Sequence, residues 1–351
     1  MNRRTSLLGI LLTTLAIVAA TGAGPARAEP ARVVFETAAL SRETSASADL
    51  VAQVRELARS GRPAEAVARA RGILDDPSQG QPTRERVRFE TLVSLSSADP
   101  DATAAEFVRE SMDVEPTVFV RLDEPGHEIF VPAWDARAAA RYTERRWRER
   151  EASAATRTIL AERGDLAAAW RHGDPAQRSG MIEALRAAPP SQLAPAGSAL
   201  ASELPRGGET AIPALAIAAR TADAALFARA LVAAPGAEAI GALRDDLPAF
   251  GATERVDILS AALGRPDLAS AALLALAAEA PTDPRAESLL WSRLASPVHG
   301  ASAAAALARL DTRDVAFRLE SLARGDADPQ AARWARLALD LRRQRAQGGD
   351  R

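Results

Sequence analysis

The sequence predicts an all-α fold, an α-solenoid of helical hairpins, with one inserted β-hairpin. From residue 48 onward the chain is rich in Ala and Leu. Apolar residues recur at i, i+3, i+4 and i+7, as in Leu50, Val51, Val54 and Leu57, which places one apolar stripe on each helix. Pro or Gly interrupts these stripes about every 15 residues, and Pro suits a helix start but not a helix interior. We therefore expect many short helices joined by tight connections.

The segment 1–28 has the organisation of an export signal. Arg3 and Arg4 precede an apolar run over 7–20 that is too short for a bilayer, which needs about 20 residues. Ala26 and Ala28 place small side chains at the two positions that a signal peptidase recognises. We expect cleavage after Ala28 and a periplasmic or secreted protein; an uncleaved anchor is the less favoured alternative. The paired arginines leave both the general secretory and the twin-arginine route open.

Composition narrows the class of protein. Cleavage would remove Arg3, Arg4 and Arg27 but no acid, and would change the net charge from −2 to −5. Because the chain has no cysteine, it has no disulfide, no thiolate metal site, no cysteine nucleophile and no lipoprotein anchor. The near-neutral charge and 4% aromatic content argue against binding to nucleic acid and against stable membrane insertion after cleavage. All 44 basic residues are arginine, which is typical of a GC-rich bacterial genome.

The pattern changes along the chain and predicts six segments after the signal peptide. They are a flexible linker over 29–48, helical hairpins over 49–116, a β-hairpin over 117–132, an Arg-rich connecting helix over 133–164, helical repeats over 165–345 and a tail over 346–351.

Two stretches of the first helical segment share a pattern. Ala66 precedes Pro77 by the same interval by which Ala105 precedes Pro116, so the period is 39. This pattern resembles the tetratricopeptide repeat, in which a small residue of the second helix packs on the first helix and a proline closes the unit. The usual period of that family is about 34, and its large first-helix aromatics are missing here. The resemblance implies helical hairpins that pack on the segment that follows them.

A second pattern lies in the C-terminal part. Ala271, Ala303 and Ala332 occupy matching Ala-rich stretches and recur at intervals of 32 and 29 along the chain. These stretches resemble short bacterial HEAT-like repeats, in which a helix of small residues lets its neighbour approach closely. The resemblance is firmest after residue 265. It implies a curved solenoid that binds other proteins, and it transfers no specific functional residue.

The predicted β-hairpin is the most distinctive element for binding. Two β-branched and aromatic runs, 117–122 and 127–131, flank Pro125-Gly126, which suits the centre of a type II turn. An isolated hairpin is marginal in water, so this one must lie on a helix or meet a partner. An open strand edge can accept another strand. The candidate partner contacts here are Phe119, Arg121, Ile129 and Phe130.

The Arg-rich helix has two interpretations. One is a basic docking surface for an acidic partner or a phospholipid, with Arg141, Arg145 and Trp147 as contacts. The other is a solvated connecting helix in which Glu144, Glu149 and Glu151 are the counter-charges. We favour the second interpretation.

The sequence contains no motif that predicts a catalytic or metal-binding site. None of the three histidines pairs with another at metal-ligand spacing. The chain contains no nucleophile elbow, phosphate loop or dinucleotide fingerprint. The acid pairs Asp75-Asp76 and Asp245-Asp246 lie near helix ends, and Asp328 is placed to cap a helix. We therefore expect no catalytic residue, no cofactor and no metal.

These observations favour an exported, non-enzymatic scaffold or adaptor that binds proteins of the bacterial cell envelope. Two alternatives remain open. One is a cell-envelope hydrolase acting on peptidoglycan, which requires two carboxylates facing across a cleft and a raised carboxylate pKa. The other is a structural component of a secretion or motility machine.

Overall fold

The computed structural model describes residues 33–36, 39–41, 45–124, 127–206, 208–325 and 328–348. The predicted signal peptide with Ala26 and Ala28, and the Pro125-Gly126 turn, lie outside these ranges. The predicted fold class is confirmed, because the chain is an all-α helical-repeat protein with a small β insertion. Among the described helices, none is both long and apolar enough to cross a membrane.

The chain divides into two compact units, residues 1–140 and 141–351. The helices of the first unit are α1 (Ala48–Arg59), α2 (Pro63–Leu74), α3 (Gln81–Leu95) and α4 (Ala102–Ser111). Helix α1 packs on α2 and α3, and α2 packs on α3 and α4. Their shared core is formed by fully buried side chains, including Val54, Val67, Leu92 and Phe107.

The repeat within this unit has a different register in the structure. Helix α2 begins at Pro63 and helix α4 at Ala102, an offset of 39, as the sequence predicts. Their buried positions are instead offset by 38, since Ala66, Ala70 and Ile73 match Ala104, Val108 and Ser111. Ala105, which the sequence aligns with Ala66, is only half-buried. One residue corresponds to about 100° of helix rotation, so α4 presents a different face to its neighbours than α2 does.

The sheet has three strands, β1 (Val33–Phe35), β2 (Val118–Glu124) and β3 (His127–Pro132). Strands β2 and β3 form the predicted antiparallel hairpin. Strand β1 pairs in parallel with β2 and comes from the segment predicted as a linker. The strand order is β1-β2-β3, and α1 to α4 lie in the connection between the parallel strands.

Helix α3 anchors the start of the hairpin. The Glu85 carboxylate accepts hydrogen bonds from the backbone N–H groups of Thr117 at 2.8 Å and Val118 at 3.2 Å. It also accepts from the Thr117 hydroxyl. The hairpin therefore lies on a helix. This contact supports it, because an isolated hairpin is only marginally stable in water.

Helix α5 (Ala136–Glu162) crosses the boundary at residue 140, and twelve shorter α-helices follow it within the described residues. They are α6 (Leu166–His172), α7 (Pro175–Ala187), α8 (Pro190–Glu203), α9 (Ala211–Thr221), α10 (Ala224–Ala233), α11 (Gly236–Asp245), α12 (Ala252–Ala262), α13 (Pro266–Glu279), α14 (Pro284–Leu294), α15 (Gly300–Leu307), α16 (Arg313–Arg324) and α17 (Pro329–Gly348).

Local sequence explains where these helices begin. Pro is the first residue of five of them, α7, α8, α13, α14 and α17, where its missing N–H costs nothing. Side chains of Asp174, Asp223, Asp283 and Thr312 accept hydrogen bonds from backbone N–H groups in the first turns that follow them. Asp328 does the same at the start of α17, as the sequence predicts.

Successive helices of the second unit stack on one another. Helix α13 packs on α15, and α15 packs on α17. The Ser270 hydroxyl of α13 lies 2.8 Å from the Ser302 hydroxyl of α15, so the aligned stretches meet directly. Ala303 and Ala332 are buried, whereas Ala271 is half-buried.

Several arginines donate hydrogen bonds from one repeat to the next, and three of them recur at nearly the same interval. Arg220 donates to the Ala188 carbonyl at 3.4 Å, Arg265 donates to the Leu231 carbonyl at 3.0 Å, and Arg342 donates to the Leu310 carbonyl. Each acceptor lies about one repeat upstream of its arginine in the chain. The acceptors also lie at or just beyond helix C-termini, where the last carbonyls have no partner within their own helix. We call Arg220, Arg265 and Arg342 the inter-repeat arginines.

Candidate functional site

The sheet of the first unit carries the densest group of exposed apolar side chains. Five of the eleven exposed large hydrophobic residues among the described positions lie on its three short strands. They are Val33, Val34, Leu122, Ile129 and Phe130. The sheet register places Val33, Leu122 and Ile129 on one face and Val34 and Phe130 on the other. Exposed apolar surface can mark an interaction site.

Strand β3 is the outer strand of this sheet. Its inner edge pairs with β2 over the whole hairpin, and no strand within the described ranges pairs with its outer edge. Backbone N–H and C=O groups along such an edge can pair with an added strand. The residues of β3 are exposed along almost its whole length.

Both faces of the hairpin offer apolar side chains. Leu122 and Ile129 are cross-strand partners on one face, and each is 37% exposed. Phe130, 49% exposed, pairs with Arg121 on the opposite face. A strand added along β3 would therefore meet an apolar side chain on each side of the sheet.

Arg121 and Phe119 have structural roles that the sequence did not predict. The Arg121 guanidinium lies 2.7 Å from Glu36 and 3.8 Å from Glu128, so it bridges acids next to β1 and on β3. Phe119 is 8% exposed and lies between Val34 of β1 and Pro132 of β3 in the sheet. Because Phe119 is buried, it is withdrawn from the expected partner contacts. Ile129 and Phe130 remain exposed, as the expectation requires.

Arginines of α5 form ion pairs with glutamates of the same helix. Arg145 lies 3.7 Å from Glu149, and its guanidinium lies 5.5 Å from the Tyr142 ring centre. Arg148 pairs with Glu144 at 2.8 Å. Such pairs at i,i+3 and i,i+4 are typical of a connecting helix and favour that interpretation over a basic docking surface. Arg141 is exposed on this helix, and Trp147 is half-buried.

A cavity of about 140 Å³ beside α3 was not predicted from the sequence. Its α3 wall is formed by Gln81, Arg84, Glu85 and Arg88. These four positions recur at i, i+3, i+4 and i+7, which is the spacing of one helix face. The sequence therefore contains the polar stripe that lines the cavity, but the many other arginines of the chain make this stripe hard to recognise.

An open groove of about 560 Å³ lies between α12 and α14 in the second unit. Ser260, Ser288 and Ser292 line it, together with Arg285 and Asp257, whose side chains are 2.9 Å apart. Arg285 also pairs with Asp283 at 2.8 Å. The hydrogen bond from the Arg285 side chain, followed by one from its backbone N–H, lowers the pKa of Asp283.

The acid pair at the end of α11 has one property expected of a catalytic carboxyl. Burial raises the pKa of Asp246, although Arg186, 3.7 Å away, acts in the opposite direction. The hydrogen bond from Arg244 lowers the pKa of the neighbouring Asp245. Asp246 lines neither the cavity nor the groove described above, so neither of them presents it to a substrate.

The histidines occupy separate places in the fold. His127 begins β3, His172 ends α6 and His299 precedes α15. In the part of the chain that the structure describes, no group of three or more acids and histidines is arranged to hold a metal ion.

No family model, no curated protein and no solved structure matches this chain. The functional interpretation therefore depends on its own residues.

Proposed function

We propose that the chain is an exported scaffold or adaptor of the bacterial cell envelope, and that β3 binds an extended segment of a partner protein by strand addition. The observation that carries the proposal is the outer edge of β3, which no described strand covers and which Ile129 and Phe130 flank on opposite faces. Main-chain hydrogen bonds along the edge would supply affinity, and the two side chains would supply selectivity.

The anchoring of the hairpin supports this role. Glu85 and the β1 pairing hold the start of β2, whereas the outer strand extends away from these contacts with its side chains exposed. A preformed edge loses little conformational entropy on binding, because its backbone is already extended and paired on one side. The edge is therefore a rigid template for a flexible partner segment.

Site-specific photo-crosslinking in the cell envelope tests the proposal. A photoreactive amino acid replacing Phe130 is expected to crosslink one stoichiometric partner, and the same replacement of Val232 on α10 is the matched control, because Val232 is also an exposed apolar residue. Ile129→Glu and Phe130→Glu are expected to weaken binding of that partner at least about tenfold by placing a charge against its side chains. Val232→Glu is expected to leave binding unchanged.

Two results would contradict strand addition. One is undiminished partner binding by Ile129→Glu and Phe130→Glu proteins whose circular dichroism matches the parent. The other is the absence of any partner together with turnover of purified peptidoglycan. The second result would favour the hydrolase, for which the raised pKa of Asp246 is the supporting observation.

Export is tested at the N-terminus of the mature protein. We expect the first residue to be Glu29 and the protein to fractionate with the periplasm or the medium. Ala28→Arg is expected to leave an uncleaved precursor of 351 residues, because the peptidase pocket accepts small side chains. A parent protein that keeps Met1 and stays in the cytoplasm would contradict export.

A further inference from the structure

The cavity beside α3 lies within the first unit, and most of its lining comes from three segments that converge. Helix α3 supplies Arg84 and Arg88, the connection after α4 supplies Glu115, and the residues before α5 supply Trp134. The cavity therefore combines charged and apolar walls in a partly enclosed space of about 140 Å³.

The two acids of the cavity already have partners. The Glu85 carboxylate accepts three hydrogen bonds from Thr117 and Val118. Glu115 accepts from Arg137 at 3.0 Å. Neither acid is close enough to Arg84 or Arg88 to form an ion pair with it.

The two arginines each have a donor without such a partner. The Nε–H groups of Arg84 and Arg88 are buried and meet no acceptor among the described residues. Buried donors are almost always paired in folded proteins, so two orphans in one cavity require an explanation. The residues occupy i and i+4 on α3, so both side chains extend from the same helix face.

The two arginines of the cavity favour an anion through their hydrogen-bond donors rather than through net charge, because Glu85 and Glu115 in the same lining balance their charge. Burial lowers the pKa of Arg88, while Glu110, Glu85 and Asp75 act in the opposite direction. Arginine nevertheless stays protonated in proteins, so Arg84 and Arg88 bring two positive charges to the cavity. A guanidinium binds planar carboxylates and phosphates well, because its N–H groups form a fork.

We propose that this cavity binds a small organic oxyanion, whose carboxylate or phosphate accepts hydrogen bonds from Arg84 and Arg88 and whose apolar body lies on Trp134. The apolar walls, Val114, Pro116 and Trp134, are the reason for an organic ligand rather than a bare ion. The volume admits a ligand of few atoms and excludes a folded segment of another protein. The lining of the cavity includes no residue of β3.

The test uses the whole chain from Glu29 and two probes, benzoate and inorganic phosphate, in isothermal titration calorimetry. One equivalent of at least one probe is expected to bind. Arg84→Gln and Arg88→Gln are each expected to weaken binding about tenfold, and the double variant to abolish it. Arg109→Gln, which changes an exposed arginine of α4 outside the cavity, is the matched control and is expected to bind as the parent does.

The two probes distinguish the two oxyanions. Binding of benzoate alone assigns a carboxylate ligand, and binding of phosphate assigns a phosphoryl group. Trp134→Leu is expected to weaken benzoate but not phosphate, because only benzoate has an apolar body. Arg88→Lys keeps the positive charge but not the forked N–H groups, so it is expected to bind more weakly than the parent. It also provides a folded comparison if the double variant loses structure. The proposal is overturned if neither probe binds, or if Arg88→Gln and Arg88→Lys bind as tightly as the parent.

Discussion

At the scale of single residues, arginine performs several different tasks in this protein. Arg121 bridges acids across the sheet, Arg285 pairs with Asp283 and Asp257, and Arg265 ties one repeat to the next. Arg84 and Arg88 each have a buried Nε–H group that meets no acceptor among the described residues. The guanidinium groups of this chain thus bind both carboxylates and helix-terminal carbonyls.

Arg265 is expected to be the most sensitive of the inter-repeat arginines. Its Nη1 donates to the carbonyls of Leu231 and Val232 at 3.0 and 3.1 Å and to that of Ala234, and its side chain also pairs with Asp267. Arg265→Lys is expected to lower the free energy of unfolding by about 1–3 kcal/mol, because one ammonium cannot satisfy both sets of acceptors. Urea denaturation measures the change. Arg309→Lys, at an exposed position, is the control and is expected to change stability by less than about 0.5 kcal/mol.

Asp283 is expected to make stability depend on pH. Its pKa is lowered in the folded state, so its charge contributes stability above the unfolded-state pKa, about 3.9. This contribution is lost as the pH falls through the lower folded-state value. Asp283→Asn keeps an N-cap acceptor, so it should be less stable than the parent at pH 7 and equally stable at strongly acidic pH. Thermal unfolding across this range measures the difference, and a difference that is independent of pH would refute it.

At the scale of elements, the second unit depends on close contacts between helices. Gly180 of α7 lies against the backbone of α5, and a Cβ at this position would come 1.9 Å from the Glu149 carbonyl oxygen. A change of side-chain rotamer cannot relieve this clash, because the oxygen is a backbone atom and the Cβ is bonded directly to the backbone. The two helices must separate if any other residue stands there.

Gly180→Ala therefore tests the crossing of α5 and α7. We expect a loss of about 1–3 kcal/mol or more, measured by urea denaturation, because the helices move apart and lose packing. Gly241→Ala in α11 is the matched control, since a Cβ there meets no atom within 4 Å. The control is expected to stabilise the protein by about 0.4–1 kcal/mol, because alanine restricts the unfolded chain. Equal effects of the two substitutions would contradict the close approach.

At the scale of the whole molecule, burial rather than crosslinking holds each unit together. Residues from Ala152 to Ala338 form one continuous core in the second unit, to which each helix contributes through its neighbours. In such a stack the last repeat covers the apolar face of the one before it. Helices α16 and α17 have this position, since α17 packs on α15 and covers buried residues such as Ala303 and Leu307.

Removal of residues 312–351 is expected to expose this face. The shortened protein should bind a hydrophobic dye, associate in size-exclusion chromatography and melt at a lower temperature than the parent, because the apolar surface of α15 is uncovered. Removal of residues 349–351 alone is the control and should change none of these properties. A monomeric shortened protein with the melting temperature of the parent would contradict the capping role.

Local features were predictable from the sequence. Helix starts follow from Pro and Asp positions, and the helical class follows from apolar spacing, because both effects act within one or two turns. The hairpin follows from β-branched runs on either side of Pro-Gly. The exposure of Ile129 and Phe130 agrees with the predicted contact element.

What the sequence by itself determined is the all-α repeat class with its hairpin. The export signal over residues 1–28 stays an expectation. What only the tertiary structure decided involves remote segments. Strand β1 pairs with β2 although α1 to α4 separate them in the chain, and Phe119 of β2 is buried. Arg84 and Arg88 form a cavity only because the segments around Glu115 and Trp134 converge on α3. The physical reason is that periodicity specifies which face of an element is buried, whereas the packing of distant elements decides what that face meets.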